Sequence, residues 1–461
     1  MVNFKKSNIF MHIMKVFKVG LLLNPVKDED GKIDVRSYRD FYIAVETSGN
    51  NKGNIVEVGR ADLSSQQKYA DAEVIDLSKK VVTPGFVDAH AHLPQKRIMG
   101  TSSGVELLPW LNETTLPEEK RFTNLEYAAE VADETYKDAV SVGTTTMCLF
   151  GPPLYEATDV AFERAEPTGL RILMGMTLLD ELSEDLFPEH QSLNQTIDHA
   201  VESTEELYRR WHGKAEGRLQ VVPTPRFAVC CSMDLMKEVA KLAEKYELLI
   251  QTHLTENLGE IEAIKARFPD LKLYERVYQE AGLMHSKMIF AHVIHSTPEG
   301  QALLRKYGPG LVHCPISNEI LLSGKMPVHE YRKQRMRIGL ATDIGAGDTL
   351  SMQANIQKAV EFSRDLYDQA PSDTLDPRWQ LDFKSGLYLA TQGSADVLHL
   401  GDKIGTFKIG KQFDATVFDP EQLCGEEYDL KEPTQLLEKI CTQRGKGVEQ
   451  AYVAGNQVYS V

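Results

Sequence analysis

The chain has 461 residues, 42% hydrophobic and 26% charged, with a formal net charge of −16. That length calls for two or three domains, or for one large barrel with an attachment. The acidic balance and the lack of Lys/Arg runs argue against a nucleic-acid partner, since phosphates demand concentrated cations, and no apolar run approaches the ~20 residues of a membrane span.

At the start of the chain, Lys5, Lys6, Lys15 and Lys18 precede the first acid, Asp28. This stretch reads as a ragged extension entering a strand, in preference to a transit peptide. Between residues 16 and 80, β-rich runs are separated by turn signals at Asp30-Gly31 and Gly49-Asn50-Asn51. From residue 84 onward, short apolar runs alternate with amphipathic stretches, the pattern of repeated βα units on a parallel sheet. Candidate strands cover 81–92, 144–150, 171–179, 219–224, 248–253, 288–292, 310–314 and 337–343, with helical patterns at 125–142, 233–246 and 298–307. The last helix carries its own punctuation: Ser296-Thr297-Pro298-Glu299 offers a capping box with proline near the first turn, and Gly308 supplies a left-handed stop.

Eight such units fit an α/β fold of the (β/α)8 TIM-barrel type, in which the loops after the strands build the active site. The tail returns to short strands with glycine turns over 410–419 and 451–459, so both chain ends are expected to meet in one small β-sandwich. The expected boundaries are 1–80 and 397–461 for that composite sandwich and 81–396 for the barrel. Tyr459-Ser460-Val461 reads as its final strand in preference to a PDZ-binding tail. The six cysteines, Cys148, Cys230, Cys231, Cys314, Cys424 and Cys441, form no Cys-x-x-Cys pair, which implies free thiols and a cytoplasmic setting.

The chemistry gathers at strand ends. In Pro84-Gly85-Phe86-Val87-Asp88-Ala89-His90-Ala91-His92, a β run ends in two histidines whose side chains share one face. His253, His292 and Asp343 end later candidate strands, so a barrel would bring all five donors to one mouth. Nitrogen and oxygen donors in that number suit Zn²⁺, and Fe²⁺ accepts the same set. Glu256 leaves the His253 strand end toward the same mouth and can move protons without ligating. His292 is preferred over His295 because it is nearer the strand end, either binding the metal or hydrogen-bonding its water. His313 is expected to orient a neighbour.

These residues, with Leu93-Pro94-Gln95, Leu108-Pro109-Trp110-Leu111, Pro225-Arg226-Phe227, Thr252-His253-Leu254-Thr255-Glu256-Asn257, His313-Cys314-Pro315-Ile316-Ser317-Asn318 and Thr342-Asp343, resemble the amidohydrolase superfamily. His92-Leu93-Pro94-Gln95 and Arg226-Phe227 narrow the resemblance to its guanine-deaminating branch. The resemblance implies metal ligation by His90, His92, His253, His292 and Asp343, catalysis by Glu256, Asp343 and His292, and a homodimer. It implies substrate contacts from His92, Leu93, Pro94, Gln95, Trp110, Leu111, Arg226, Phe227, His253, Glu256 and Asp343. Guanine suits such a site, because an Arg fork and a Gln amide can read its carbonyl and ring nitrogens while a Phe packs on the ring. Relatives usually carry Gly where this chain has Val293 and Ala341, and neither change removes a donor. Two other readings are a related deaminase or chlorohydrolase acting on another purine, a pterin or a triazine, and an inactive scaffold.

Overall fold

A computed structural model describes the protein over residues 14–62, 68–101, 104–370, 376–425 and 428–461. The expected N-terminal extension therefore lies almost wholly outside the described residues. The strands follow the apolar runs: β1 (Met14–Lys27), β2 (Ile33–Glu46), β3 (Ile55–Arg60), β4 (Glu73–Pro84), β5 (Phe86–His92), β6 (Thr144–Gly151), β7 (Arg171–Leu178), β8 (Leu219–Val221) and β9 (Thr224–Pro225). They continue as β10 (Ile250–Leu254), β11 (Met288–His292), β12 (Gly310–His313), β13 (Arg337–Leu340), β14 (Ala415–Phe418), β15 (Val448–Val453) and β16 (Asn456–Ser460).

Two parallel sheets occupy the middle of the chain. One has the order β5-β6-β7-β8, with β9 on β7, and the other the order β10-β11-β12-β13. Every residue of β5, β6, β7, β10, β11 and β12 is buried, as expected of parallel strands covered on both faces. Backbone hydrogen bonds also join the margins of the two sheets. The His92 N–H donates to the Ile344 carbonyl at 2.7 Å, Asp343 N–H to the His90 carbonyl at 3.0 Å, and Gln251 N–H to the Pro223 carbonyl at 3.2 Å.

Strands from both chain ends form a third, seven-stranded sheet in the order β16-β15-β14-β4-β1-β2-β3. It is one continuous hydrogen-bonded sheet. Long strands twist, and here the β3 margin returns to the segment leading into β14, with Ile55 N–H donating to the Lys411 carbonyl at 2.7 Å and Phe413 N–H to the Gly53 carbonyl at 2.9 Å. The curl encloses Phe17, Ile43, Ile55, Val82, Val417 and Tyr452, with Phe17 stacked on Phe413 at 4.1 Å between centroids.

Residues 81–84 pair in this sheet rather than in the parallel one, so the first parallel strand starts at Phe86, later than the sequence pattern suggested. Gly85 makes the transfer possible, since a Cβ there would stand 2.2 Å from Thr145 Oγ1. In the helix Pro298–Tyr307, Thr297 caps the Gly300 N–H at 3.2 Å and Gly308 ends the helix at φ 67°, whereas the Ser296 hydroxyl is engaged by Glu275. All six cysteines are free, and no helix among the described residues is long and apolar enough to cross a membrane.

A buried ion pair joins the two parts. Arg171 on β7 donates from Nε to Asp414 Oδ2 at 2.6 Å and from Nη2 to Oδ1 at 3.1 Å, while Ala454 N–H adds a third donor at 2.8 Å. Truncating one partner strands a buried charge, whereas replacing both removes the penalty along with the attraction. Arg171→Met should therefore destabilise the protein by about 3–5 kcal/mol in urea unfolding, and R171M/D414L should recover a large part of that loss.

Candidate metal and substrate site

The five expected donors converge. His90 and His92 end β5 on one face, His253 sits in β10, His292 closes β11, and Asp343 follows β13. Ligating atoms of His90, His92 and His253 lie within 4.8 Å of one another, as do those of His90, His292 and Asp343. Asp343 Oδ1 is 3.3 Å from His90 Nε2 and 3.4 Å from His92 Nε2, and its Oδ2 is 3.6 Å from His292 Nε2. Local backbone bends aim these groups. His292 and Val293 take φ of 71° and 46°, and Asp343 takes 49°, in a left-handed region costly for a β-branched residue. Hydrogen bonds hold the bend, with Val293 N–H donating to the Leu254 carbonyl at 3.0 Å and Ile294 N–H to that of Thr255 at 3.1 Å. Buried Asp88 accepts from the Thr342 N–H at 3.0 Å and from its hydroxyl, tying β5 to the residue before Asp343.

Hydrogen bonds at the far side of two rings fix which nitrogen faces inward. His253 Nδ1 lies 2.6 Å from the Arg226 carbonyl, which can only accept, so Nδ1 carries the proton and Nε2 turns a lone pair to the cluster. His292 Nδ1 meets Asn318 Oδ1 at 2.8 Å, leaving its Nε2 toward Asp343 and Glu256. Both ring nitrogens of His90 are buried without a hydrogen-bond partner. Burial lowers His90, His92 and His253 well below the ordinary imidazole value, which keeps the ligating, neutral form. Burial pushes Asp343 up to about 6, and burial with the Asp343 charge raises Glu256 well above the usual carboxylate range. Neutral imidazoles beside oxygen donors that desolvation disfavours as bare anions fit a divalent cation.

A cavity of about 350 Å³, its mouth included, opens onto this cluster. Its lining brings His92, His253, His292, Glu256 and Asp343 together with Gln95, Trp110, Leu111, Arg226 and Phe227. Leu93 and Pro94 are buried in the turn that carries Gln95 and lie outside the lining. Glu256 is 3.4 Å from His292 Nε2 and accepts from Ser323 Oγ at 3.3 Å. Two donors on the wall, Arg226 Nη2 and Trp110 Nε1, are buried with no partner in the protein. His295 lies apart from the cluster, bonded through Nε2 to the Ser323 carbonyl at 2.7 Å, and His313 is buried at the end of β12 with Nδ1 unpaired.

Sequence reasoning missed Leu107, Leu321 and Ala346 on the wall and Glu119 behind it. A guanidinium that is only 2% exposed requires an acid. Nothing in Leu116-Pro117-Glu118-Glu119 distinguishes that acid from one favoured at any helix start.

The amidohydrolase family model matches residues 81–458. The guanine deaminase of Dictyostelium discoideum is 33% identical over 460 residues, covering 97% of this chain and 98% of that protein. That of Escherichia coli is 32% identical over 413 residues, covering 88% of this chain and 90% of that protein. The guanine deaminase from C. acetobutylicum, solved with guanine bound in its active site, has a TM-score of 0.86 at 32% identity and covers 97% of this chain and 100% of the other. Matched along nearly its whole length, the chain belongs to the amidohydrolase family, on its guanine deaminase branch.

Proposed function

We propose that the protein catalyses the hydrolytic deamination of guanine, in which guanine and water give xanthine and ammonia. The observation that carries the reading is the unpaired Arg226 Nη2, buried on the wall of the cavity that opens onto the imidazole cluster. A buried donor without a partner is costly, so a ligand that fills this cavity gains by bringing an acceptor, and the guanine carbonyl is one. Trp110 Nε1 asks for the same. Adenine, with an amino group in that place, would set donor against donor.

His90, His92, His253, His292 and Asp343 are the residues that would hold Zn²⁺, and a zinc ion there would supply a water acidic enough to deprotonate near neutral pH. Glu256 shares the cavity with that centre, and its raised affinity for a proton suits it to take one at neutral pH and return it to the purine ring. Asp343, pushed up to about 6, can share the same proton. Gln95 and Arg226 would orient the purine, and Phe227, 2% exposed on the same wall, would pack against its plane. The hydrogen bonds between the margins of the two parallel sheets support reading them as one closed (β/α)8 barrel, with this site at its strand C-termini. The curl of the seven-stranded sheet supports reading it as the small composite sandwich.

Ammonia release by the metal-loaded protein should be seen with guanine and should fall by orders of magnitude with adenine, which brings a donor where the wall asks for an acceptor; no release from guanine would overturn the reading. Glu256→Gln should lower kcat by about 10²–10⁴ while leaving the bound metal in place, which metal analysis of the purified variant checks. Replacing Arg226 with Met should cut kcat/KM for guanine by 100-fold or more, on the order expected when a site built to hydrogen-bond its substrate loses the donor. Undiminished guanine turnover in that variant would contradict the role given to Arg226.

A further inference from the structure

One buried carboxylate beside the cavity is not used by the chemistry above. Glu119 lies in the short helix Leu116–Lys120, is 1% exposed, and stands behind the wall rather than on it. Its Oε2 accepts from Arg226 Nη1 at 2.6 Å, and its Oε1 accepts from Gln95 Nε2 at 3.4 Å. Gln95 is also held at its oxygen, which accepts from the Gly345 N–H at 3.2 Å. A single carboxylate thus touches two polar side chains of the purine-reading wall, Gln95 and Arg226, which reach it from the turn after β5 and from the segment after β9.

We propose that Glu119 is a positioning residue that sets the hydrogen-bonding polarity of this wall and so selects a 6-oxopurine; the inference rests on the guanine reading above. A carboxylate can only accept. With its two oxygens facing two donors, it holds Arg226 by Nη1, leaving Nη2 as the unpaired donor, and it turns the Gln95 amide so that nitrogen faces Glu119 and oxygen faces Gly345. A glutamine at this position has one acceptor and one donor, so one of the two contacts becomes donor against donor. It also leaves the buried guanidinium without its counter-charge.

The test compares guanine with 2-aminopurine, which keeps the amino group to be released and lacks the 6-oxo oxygen. The second compound is followed by turnover or, where that is too slow, as a competitive inhibitor of guanine deamination. In metal-loaded protein, E119Q should lower kcat/KM for guanine by about 10- to 100-fold more than it weakens 2-aminopurine. The loss should fall mainly on KM, with metal content unchanged, and E119D should restore part of it. In an R226M background, E119Q should shift the guanine to 2-aminopurine ratio by well under the roughly 10-fold expected of it alone, because the guanidinium is gone and only Gln95 remains to be turned. That double variant exchanges a buried ion pair for neutral side chains and so carries the test if E119Q alone does not fold. An equal loss on both purines in E119Q, or a ratio that shifts as far in the R226M background as in the wild type, overturns the assignment. Wild-type protein that fails to deaminate guanine overturns the functional reading beneath it instead.

Discussion

The site depends on one constraint: imidazoles and carboxylates gathered in a buried cluster at the ends of parallel strands. Such a cluster is expensive without a cation, because burial disfavours charged imidazolium and bare carboxylate alike. The protein accepts that cost through rigid neighbours. β5 places two rings on one face, the Asp88–Thr342 contact pins the start of β5 to the segment bearing Asp343, and backbone carbonyl or amide oxygens behind His253 and His292 decide which nitrogens point inward. Even the left-handed bend at His292 and Val293 is held by hydrogen bonds to the neighbouring β10 loop.

The cavity lining divides its work between two groups of residues of different electrostatic character. In one, neutral imidazoles and raised carboxyls can hold a metal and move protons. In the other, Arg226 keeps its charge among apolar neighbours because Glu119 supplies the counter-charge. The same helix region contributes Trp110 and Leu111 to the lining, so the segment between β5 and β6 acts as a side wall as well as a crossover. The two groups share a scaffold: Gln95 leaves the strand end that bears His90 and His92, and the Arg226 carbonyl holds His253 Nδ1 at 2.6 Å.

The convergence of histidines and Asp343 was legible in the sequence because strand periodicity and strand ends are local properties. His-x-His on a β run can be read from two residues, and His253, His292 and Asp343 each close an apolar run. The choice of His292 over His295 followed from the same rule. Sequence reasoning missed the change of sheet at position 85 although Pro84-Gly85 interrupts the run from Val81 to His92, and the Gly85–Thr145 approach shows why a residue without a side chain is needed there. Glu119 was not legible at all. Its role arises from a contact between residues 107 apart in the chain, and a helix-start glutamate with no tertiary partner has the same local sequence. The same limit applies to the seven-stranded sheet, where the pairing of β4 with both β1 and β14 depends on where the chain returns and not on any local pattern.

Titrating metal-free protein with Zn²⁺ while following guanine turnover tests the central claim most directly. The imidazole and carboxylate cluster predicts activity that rises in proportion to added metal, saturates at about one ion per chain, and is lost together with bound zinc in His253→Ala. Full turnover in rigorously metal-free protein, or a His253→Ala variant that keeps both zinc and activity, would contradict it.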